Sequence, residues 1–191
     1  MRKMMLILIT AAMCAVMAGC ANPPPMNFSV PDVGVSKAKI DAEVKTITVT
    51  LARPDEAKGD VPMWLEREHV TDSWKEALQE AMDRMAIFKD DSSNKISIQV
   101  KILAVDIPVL AASVTTKSVA RYEIIDRSKG AIIYTQDVSA EGFVPFDYAL
   151  LAFTRGRESV NRSAQNNIKL FLQALETVDI KKPMFPSAVQ K

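Results

Sequence analysis

The sequence predicts an α+β fold, a two-layer sandwich in which a four-stranded, mostly antiparallel sheet carries two helices on one face. Three observations predict it. Two stretches alternate apolar with polar residues at the period of a half-buried strand and two more flank a glycine hairpin turn, two longer stretches repeat apolar residues at three-and-four spacing, and the elements run β-α-β-β-β-α along the chain. A helix after one strand and a second after a meander can both cover the same face of such a sheet. No repeat of solenoid length interrupts this order.

The first strand is expected over Val44 to Ala52, where Ile47, Val49 and Leu51 alternate with Thr46, Thr48 and Thr50. Pro54 and Gly59 end it. From Ser73 to about Phe88, Trp74, Ala77, Leu78, Ala81, Met82, Met85 and Ala86 fall on one helical face. Ser73 and Glu76 form a capping-box signature there, with Thr71 and Asp72 as other candidate caps. After the turn Asp90 to Asn94, Ile96, Ile98, Val100 and Ile102 alternate as a second strand. A third runs from Val114 to Ile125, with Val114, Thr116, Ser118, Ala120, Tyr122 and Ile124 on one side. Asp126 to Gly130 is the hairpin turn, Gly130 supplying a positive backbone angle, and Ala131 to Val138 returns as the fourth strand. The closing helix spans about Glu158 to Val178, striped by Val160, Ala164, Ile168, Phe171, Leu172 and Leu175.

Outside this pattern the chain divides simply. Met1 to Gly19 reads as a secretion signal: Arg2 and Lys3, an apolar run from Met4 to Val16, then the small-residue stretch Met17-Ala18-Gly19 before Cys20. The apolar run falls short of the roughly 18 to 20 residues that span a bilayer. Residues 20–39 hold Pro23-Pro24-Pro25, Pro31 and Gly34 and read as a semi-rigid tether, residues 40–180 as one domain, and residues 181–191, with Pro183 and Pro186, as a flexible tail.

The box Met17-Ala18-Gly19-Cys20 resembles the bacterial lipoprotein signal-peptide class, with Met17 standing where Leu is usual. That resemblance implies a diacylglycerol on Cys20, cleavage before it and acylation of the new amino terminus, palmitate being the expected chain. Several acyl chains anchor stably where one binds only marginally. Ala21, in place of Asp, is similar to the pattern that enterobacterial sorting sends to the outer membrane, with the domain facing the periplasm.

Composition closes several other routes. The two cysteines, Cys14 and Cys20, lie in the signal and under the lipid, which leaves the domain no thiol for a disulfide, a nucleophile or a thiolate metal site. His69 is the single histidine, in the charged stretch Glu66 to His69, and reads as a solvated residue flanking a helix. Removing Arg2 and Lys3 from 24 basic residues leaves the rest nearly balanced against 23 acidic ones, without the basic surface of a nucleic-acid binder. The sequence has no phosphate-binding glycine loop and no nucleophile elbow, and Asp90, Asp91, Asp137 and Glu141 read as surface carboxylates. No catalytic residue, metal or cofactor is expected, and the chain is not expected to be an enzyme.

A further resemblance rests on the strand Ala120 to Asp126 running into a glycine turn and on the closing helix around Asn166 to Leu172. With the lipidated cysteine and the element order, these are similar to ABC-transport auxiliary lipoproteins and to lipopolysaccharide-assembly and curli-secretion lipoprotein domains, over Ile40 to Val178. The resemblance implies a non-catalytic adaptor or accessory subunit of an envelope transport or assembly system, with lipid or lipopolysaccharide as cargo class. The alternatives are a small-lipid carrier and a regulator of a cell-wall or secretion machine. The expected partners are the bilayer, through Cys20, and an envelope protein, with a small lipid as the alternative ligand.

Two apolar connectors stand out as candidate contact surfaces. Ile107 to Ala112, including Val109 and Leu110, joins strands two and three, and Phe143 to Phe153 joins the sheet to the last helix with one charge, Asp147. Core packing over an uncovered edge is the first expectation for both. The alternative is an exposed partner surface built from Val109, Leu110, Phe143, Phe146, Tyr148, Leu151 and Phe153, with Arg155 and Arg157 receiving phosphate or carboxylate groups of the partner.

Overall fold

The computed structural model describes residues 24–108 and 111–178. The signal, Cys20, Val109, Leu110 and the C-terminal tail lie outside the described residues. Four strands, β1 (Glu43–Leu51), β2 (Lys95–Asp106), β3 (Val114–Asp126) and β4 (Ala131–Val144), lie side by side in chain order. β1 runs parallel to β2, and β2, β3 and β4 are antiparallel neighbours. The parallel pair requires a crossover, and α1 (Met63–Arg67) and α2 (Val70–Met85) supply it; α3 (Ala152–Leu175) closes the chain over β3 and β4. The result is the expected α+β sandwich.

Where the element ends depart from the sequence reading, tertiary contacts explain them. α2 starts before Ser73, and its N-cap is His69 in the left-handed region (φ 52°) with no side-chain cap, so the expected capping box sits inside the helix. Its C-cap Ala86 is also left-handed (φ 46°), which turns the chain before Phe88. β4 runs past Val138 to Val144 because Gly142 admits α3: a Cβ there would lie 2.2 Å from the Ser159 carbonyl oxygen and 2.3 Å from the Ser163 amide nitrogen. The hairpin turn follows expectation, with Gly130 at φ 66°.

The core lies between helices and sheet, with Trp74, Leu78, Ile98, Tyr122, Ile124 and Phe171 fully covered. Tyr122 stacks on Phe171 with ring centroids 3.9 Å apart and planes 10° from parallel. Beside this stack runs a buried polar seam. Trp74 Nε1 donates to the Tyr122 hydroxyl at 3.2 Å, which donates to Asn167 Oδ1 at 2.9 Å, and Asn167 Nδ2 donates to the Val138 carbonyl at 3.0 Å. Ser163 Oγ donates to Ser118 Oγ at 2.8 Å, and the Thr116 and Ser159 hydroxyls meet at 2.6 Å. Partnered in this way, the seam avoids the cost of buried unsatisfied groups.

Residues 24–39 do not stand away from the domain as the expected tether. They form a strap in the groove between α2 and α3. Phe28 and Val30 are buried, and the Phe28 ring meets Trp74 edge-on at 5.8 Å. A polar row on α3, Arg157, Asn161, Gln165 and Lys169, grips the strap at four-residue spacing. Arg157 Nε donates to the Pro24 carbonyl at 3.0 Å, Asn161 Nδ2 to that of Pro25 at 3.1 Å and Gln165 Nε2 to that of Asn27 at 2.9 Å. At the far end the Ser36 amide donates to the Met85 carbonyl and the Ser36 hydroxyl to Glu176. Proline supplies carbonyls without competing donors, which is why an extended proline stretch suits a row of side-chain donors.

Candidate functional site

β2 ends, β3 begins, β4 ends and α3 starts at one pole of the sheet, so the two apolar connectors meet there. α1 joins them, its Trp64 ring 6.4 Å from that of Phe153. A groove of about 440 Å³ opens between the connectors, lined among others by Trp64, Ile107, Pro108, Ala111, Phe153 and Arg157. Core packing, the first expectation for the second connector, holds for Val144 alone among its large side chains. Phe143, Phe146, Tyr148, Leu151 and Phe153 are all exposed, as are Leu150 (88 %) and Met63 (77 %).

Three arginines of α3 explain how an apolar segment stays outside. Arg155 is 4 % exposed, donates from Nη1 to the Ala149 and Leu150 carbonyls, at 2.5 and 2.9 Å, and lies 5.0 Å from the Phe146 ring centroid. Arg157 lies 5.8 Å from Phe153, and Arg162 5.3 Å from Tyr148 while donating to the Phe143 carbonyl at 2.9 Å. Guanidinium groups thus occupy the inner side of three rings. A cation over an aromatic face is attracted by the ring quadrupole, so each ring is held without being covered.

This arrangement corrects the role expected of Arg155 and Arg157. Neither is a free anion receptor. Arg157 forms a bidentate pair with Glu68, Nη1 to Oε1 at 2.9 Å and Nη2 to Oε2 at 3.0 Å, and its hydrogen bonds hold the Glu68 carboxyl below the usual carboxylate range. With the Pro24 carbonyl on Nε, one guanidinium joins the strap, the end of α1 and α3. Arg155 makes no carboxylate pair among the described residues, and its Nε is buried without a hydrogen-bond partner. Its charge is met by two carbonyls and a ring.

Elsewhere the exposed large apolar side chains, Val35, Ile132 and Leu170, are scattered singly among polar groups. On the sheet face away from the helices, Arg121 Nε and Nη2 donate to the two Asp137 oxygens at 2.6 and 3.0 Å, and Lys58 adds a second cation. Arg121 first, then Lys58, holds the Asp137 carboxyl down at about 2. At the β4 edge, Arg162 and Asn166 side chains take the Phe143 and Glu141 carbonyls, which closes that stretch to strand addition. His69 is exposed and faces Asp72 at 3.4 Å, as its position before a helix led one to expect. No cluster of metal-ligating side chains occurs among the described residues, and no helix there is long and apolar enough to cross a membrane.

Sequence reasoning singled out the second connector but missed Met63, Trp64 and the strap. The signal for the strap was the four-residue polar row Arg157, Asn161, Gln165 and Lys169 on α3, beside the apolar stripe of that helix.

No family model matches the chain, and no curated protein is similar to it in sequence. Solved structures are similar in fold. Protein XCC0632 from Xanthomonas campestris, of family-model DUF330, has a TM-score of 0.52 at 7% identity, covering 80% of this chain and 92% of that one. PelC from Paraburkholderia phytofirmans, a dodecamer, has a TM-score of 0.46 at 11% identity, covering 76% of this chain and 95% of its own. A minor lipoprotein from Acinetobacter baumannii has a TM-score of 0.43 at 10% identity, with 69% and 92% covered. The neighbours thus include lipoproteins, and the likeness to the Xanthomonas protein is one of fold.

Proposed function

We propose that the chain is a lipid-anchored bacterial lipoprotein whose domain faces the periplasm from the outer membrane, a non-catalytic accessory subunit of an envelope transport or assembly system. One observation carries this reading. Pro24 lies at the exposed apolar pole, where its carbonyl accepts a hydrogen bond from the guanidinium that lies against Phe153. An acylated Cys20, four residues upstream, puts the attachment point and the contact surface at the same end of the molecule. The polar seam is consumed by its own hydrogen bonds, and the pole offers shape and apolar area in place of a base, a nucleophile or a ligand set.

The test is crosslinking in intact cells followed by purification in detergent, for the wild-type chain and for Cys20→Ser. Defined envelope proteins captured by the wild type and lost with Cys20→Ser are the expected result. Capture indifferent to Cys20, or none at all, overturns the reading. A small-lipid carrier is the second reading, favoured by the groove of about 440 Å³, a size suited to a small ligand. It predicts retained lipid in native mass spectrometry, and a clean apo mass speaks against it. The space between helices and sheet is less suited to such a ligand, because Trp74, Tyr122 and Phe171 fill it.

A further inference from the structure

We infer that the apolar pole rests on the lipid surface itself: Phe146, Leu150, Leu151 and Phe153, with Met63 and Trp64 beside them, sit in the interfacial layer of the membrane that holds Cys20. The inference depends on the acylation of Cys20 proposed above and names what that pole touches. Chain length is its first support. Between Cys20 and Pro24 the backbone reaches no more than about 14 Å even when fully extended. Pro24 is bonded to Arg157, and Arg157 lies against Phe153. So short a leash keeps the pole close to the bilayer.

The chemistry of the pole agrees. Trp64 and Tyr148 are amphipathic rings of the kind that settle at headgroup depth, and Leu150 and Leu151 are exposed beside them with no charge between Tyr148 and Thr154. Asp147 is the single charge on the loop, and Arg155 is buried behind it against the Phe146 ring and the Ala149 and Leu150 carbonyls, so the outer surface of the pole is apolar. The acyl chains already supply affinity, so the pole needs only weak interfacial attraction to fix orientation at the high effective concentration that a short linker gives. The β3–β4 turn, at the other end of β3, then points into the periplasm together with most of the charged sheet face, leaving those surfaces to partners.

Spin labels test this. With Cys14 in the cleaved signal and Cys20 acylated, Leu150→Cys and Lys129→Cys each give the mature chain one labelling site, the first at the pole and the second in the β3–β4 turn. Both are exposed, so neither change disturbs packing. The labelled, acylated protein is placed in phosphatidylethanolamine–phosphatidylglycerol vesicles, and collision with oxygen is compared with collision with a water-soluble nickel complex. The expected result is several-fold higher accessibility to oxygen than to nickel at position 150 and the reverse at 129. Equal nickel accessibility at both sites, with diacyl mass confirmed on Cys20, overturns the inference and leaves the anchor standing. Absence of acyl mass overturns both. Protection of position 150 in native envelope vesicles but not in the lipid vesicles assigns the pole to a protein and also overturns it.

Discussion

The middle of α3 and its start invert the usual distribution of side chains. Along its middle, Ser159, Ser163 and Asn167 are buried against Thr116, Ser118 and Tyr122, polar groups in the interior. At its start, Leu151 and Phe153, with Phe146 and Leu150 just before, are apolar groups in the open. The polar groups inside are partnered by the chain; the apolar groups outside are supported from beneath and covered by nothing in it. Burial without partners is costly, so a partnered interior group is architecture. Exposure of a contiguous apolar surface marks contact with something else. The seam and the pole are therefore to be tested by opposite readouts, stability for one and location for the other.

The largest loss of stability is expected at Gly142. A Cβ there meets backbone atoms of α3, which cannot swing aside as a side-chain tip would. Gly142→Val is expected to cost about 3 kcal/mol or more, or to prevent folding, as overpacking against rigid neighbours does. Urea denaturation followed by circular dichroism checks it, and a wild-type midpoint would mean that α3 is not seated as described. Next is Tyr122→Phe, which keeps the stack on Phe171 but strands Trp74 Nε1 and Asn167 Oδ1. About 2 kcal/mol is expected, the cost of buried groups left without partners. Asn167→Leu alone, which removes the acceptor of the Tyr122 hydroxyl and the donor to Ser118 and Val138, is expected to cost a similar amount, and the double variant less than the sum of the two, because both lose the Tyr122–Asn167 bond.

A smaller effect separates the neutral seam from the charged sheet face. Burial pushes the Tyr122 hydroxyl far above its ordinary range, so the seam keeps its charge state throughout mild acid and base. Asp137 behaves differently: its folded value of about 2 lies below the ordinary 3.8. A depressed carboxylate stabilises the fold above its unfolded pKa, and that stability is lost as pH falls from about 4 to 2. Because Asp137 is about a quarter exposed, solvent screening keeps the contribution to no more than about 2 kcal/mol. Other carboxylates held low, Glu43, Glu56, Glu68 and Asp126 among them, slope the same way, so the difference between wild type and Asp137→Asn isolates this one. Urea midpoints at pH 6 and pH 2.5 are expected to converge in the variant relative to wild type.

Much of this comparison can be read in the sequence, and the rest fails for stated reasons. The strands and the two long helices announce themselves through period, and Val114, Thr116, Ser118, Ala120, Tyr122 and Ile124 share the buried face their alternation implies. Period does not reveal that Thr116 and Ser118 face serines rather than water, because their partners lie more than 40 residues away. Pro24 and Pro25 look like a spacer when read alone. They are a strap because Arg157, Asn161 and Gln165 present donors to them, a match visible only across more than 130 residues of separation. The pole was visible as composition, yet its exposure depends on Arg155, Arg157 and Arg162 closing the core beneath the rings. Sequence reading turns Arg155 and Arg157 toward a ligand.

The smallest expected change in stability tests the pole. Replacing Phe146, Tyr148 and Phe153 together with Ser removes three exposed rings and three cation–π contacts, while the guanidinium bonds to Glu68 and to the carbonyls of Pro24, Phe143, Ala149 and Leu150 remain. At exposed sites such contacts are worth about 0.5 to 1 kcal/mol each, and Ser regains solvation, so a net loss of about 1 kcal/mol is expected in urea. The acyl chains keep the variant in the membrane fraction, which would mask the defect if fractionation were the sole measurement. Orientation is the sensitive readout: a spin label at position 150 that is shielded from water in the wild type becomes accessible in the variant, as the domain pivots about its short attachment. If the triple variant unfolds, these rings belong to the core and the contrast between seam and pole disappears. If it folds and position 150 stays shielded, Leu150, Leu151, Met63 and Trp64 hold the pole down without the rings, and the surface is broader than the loop.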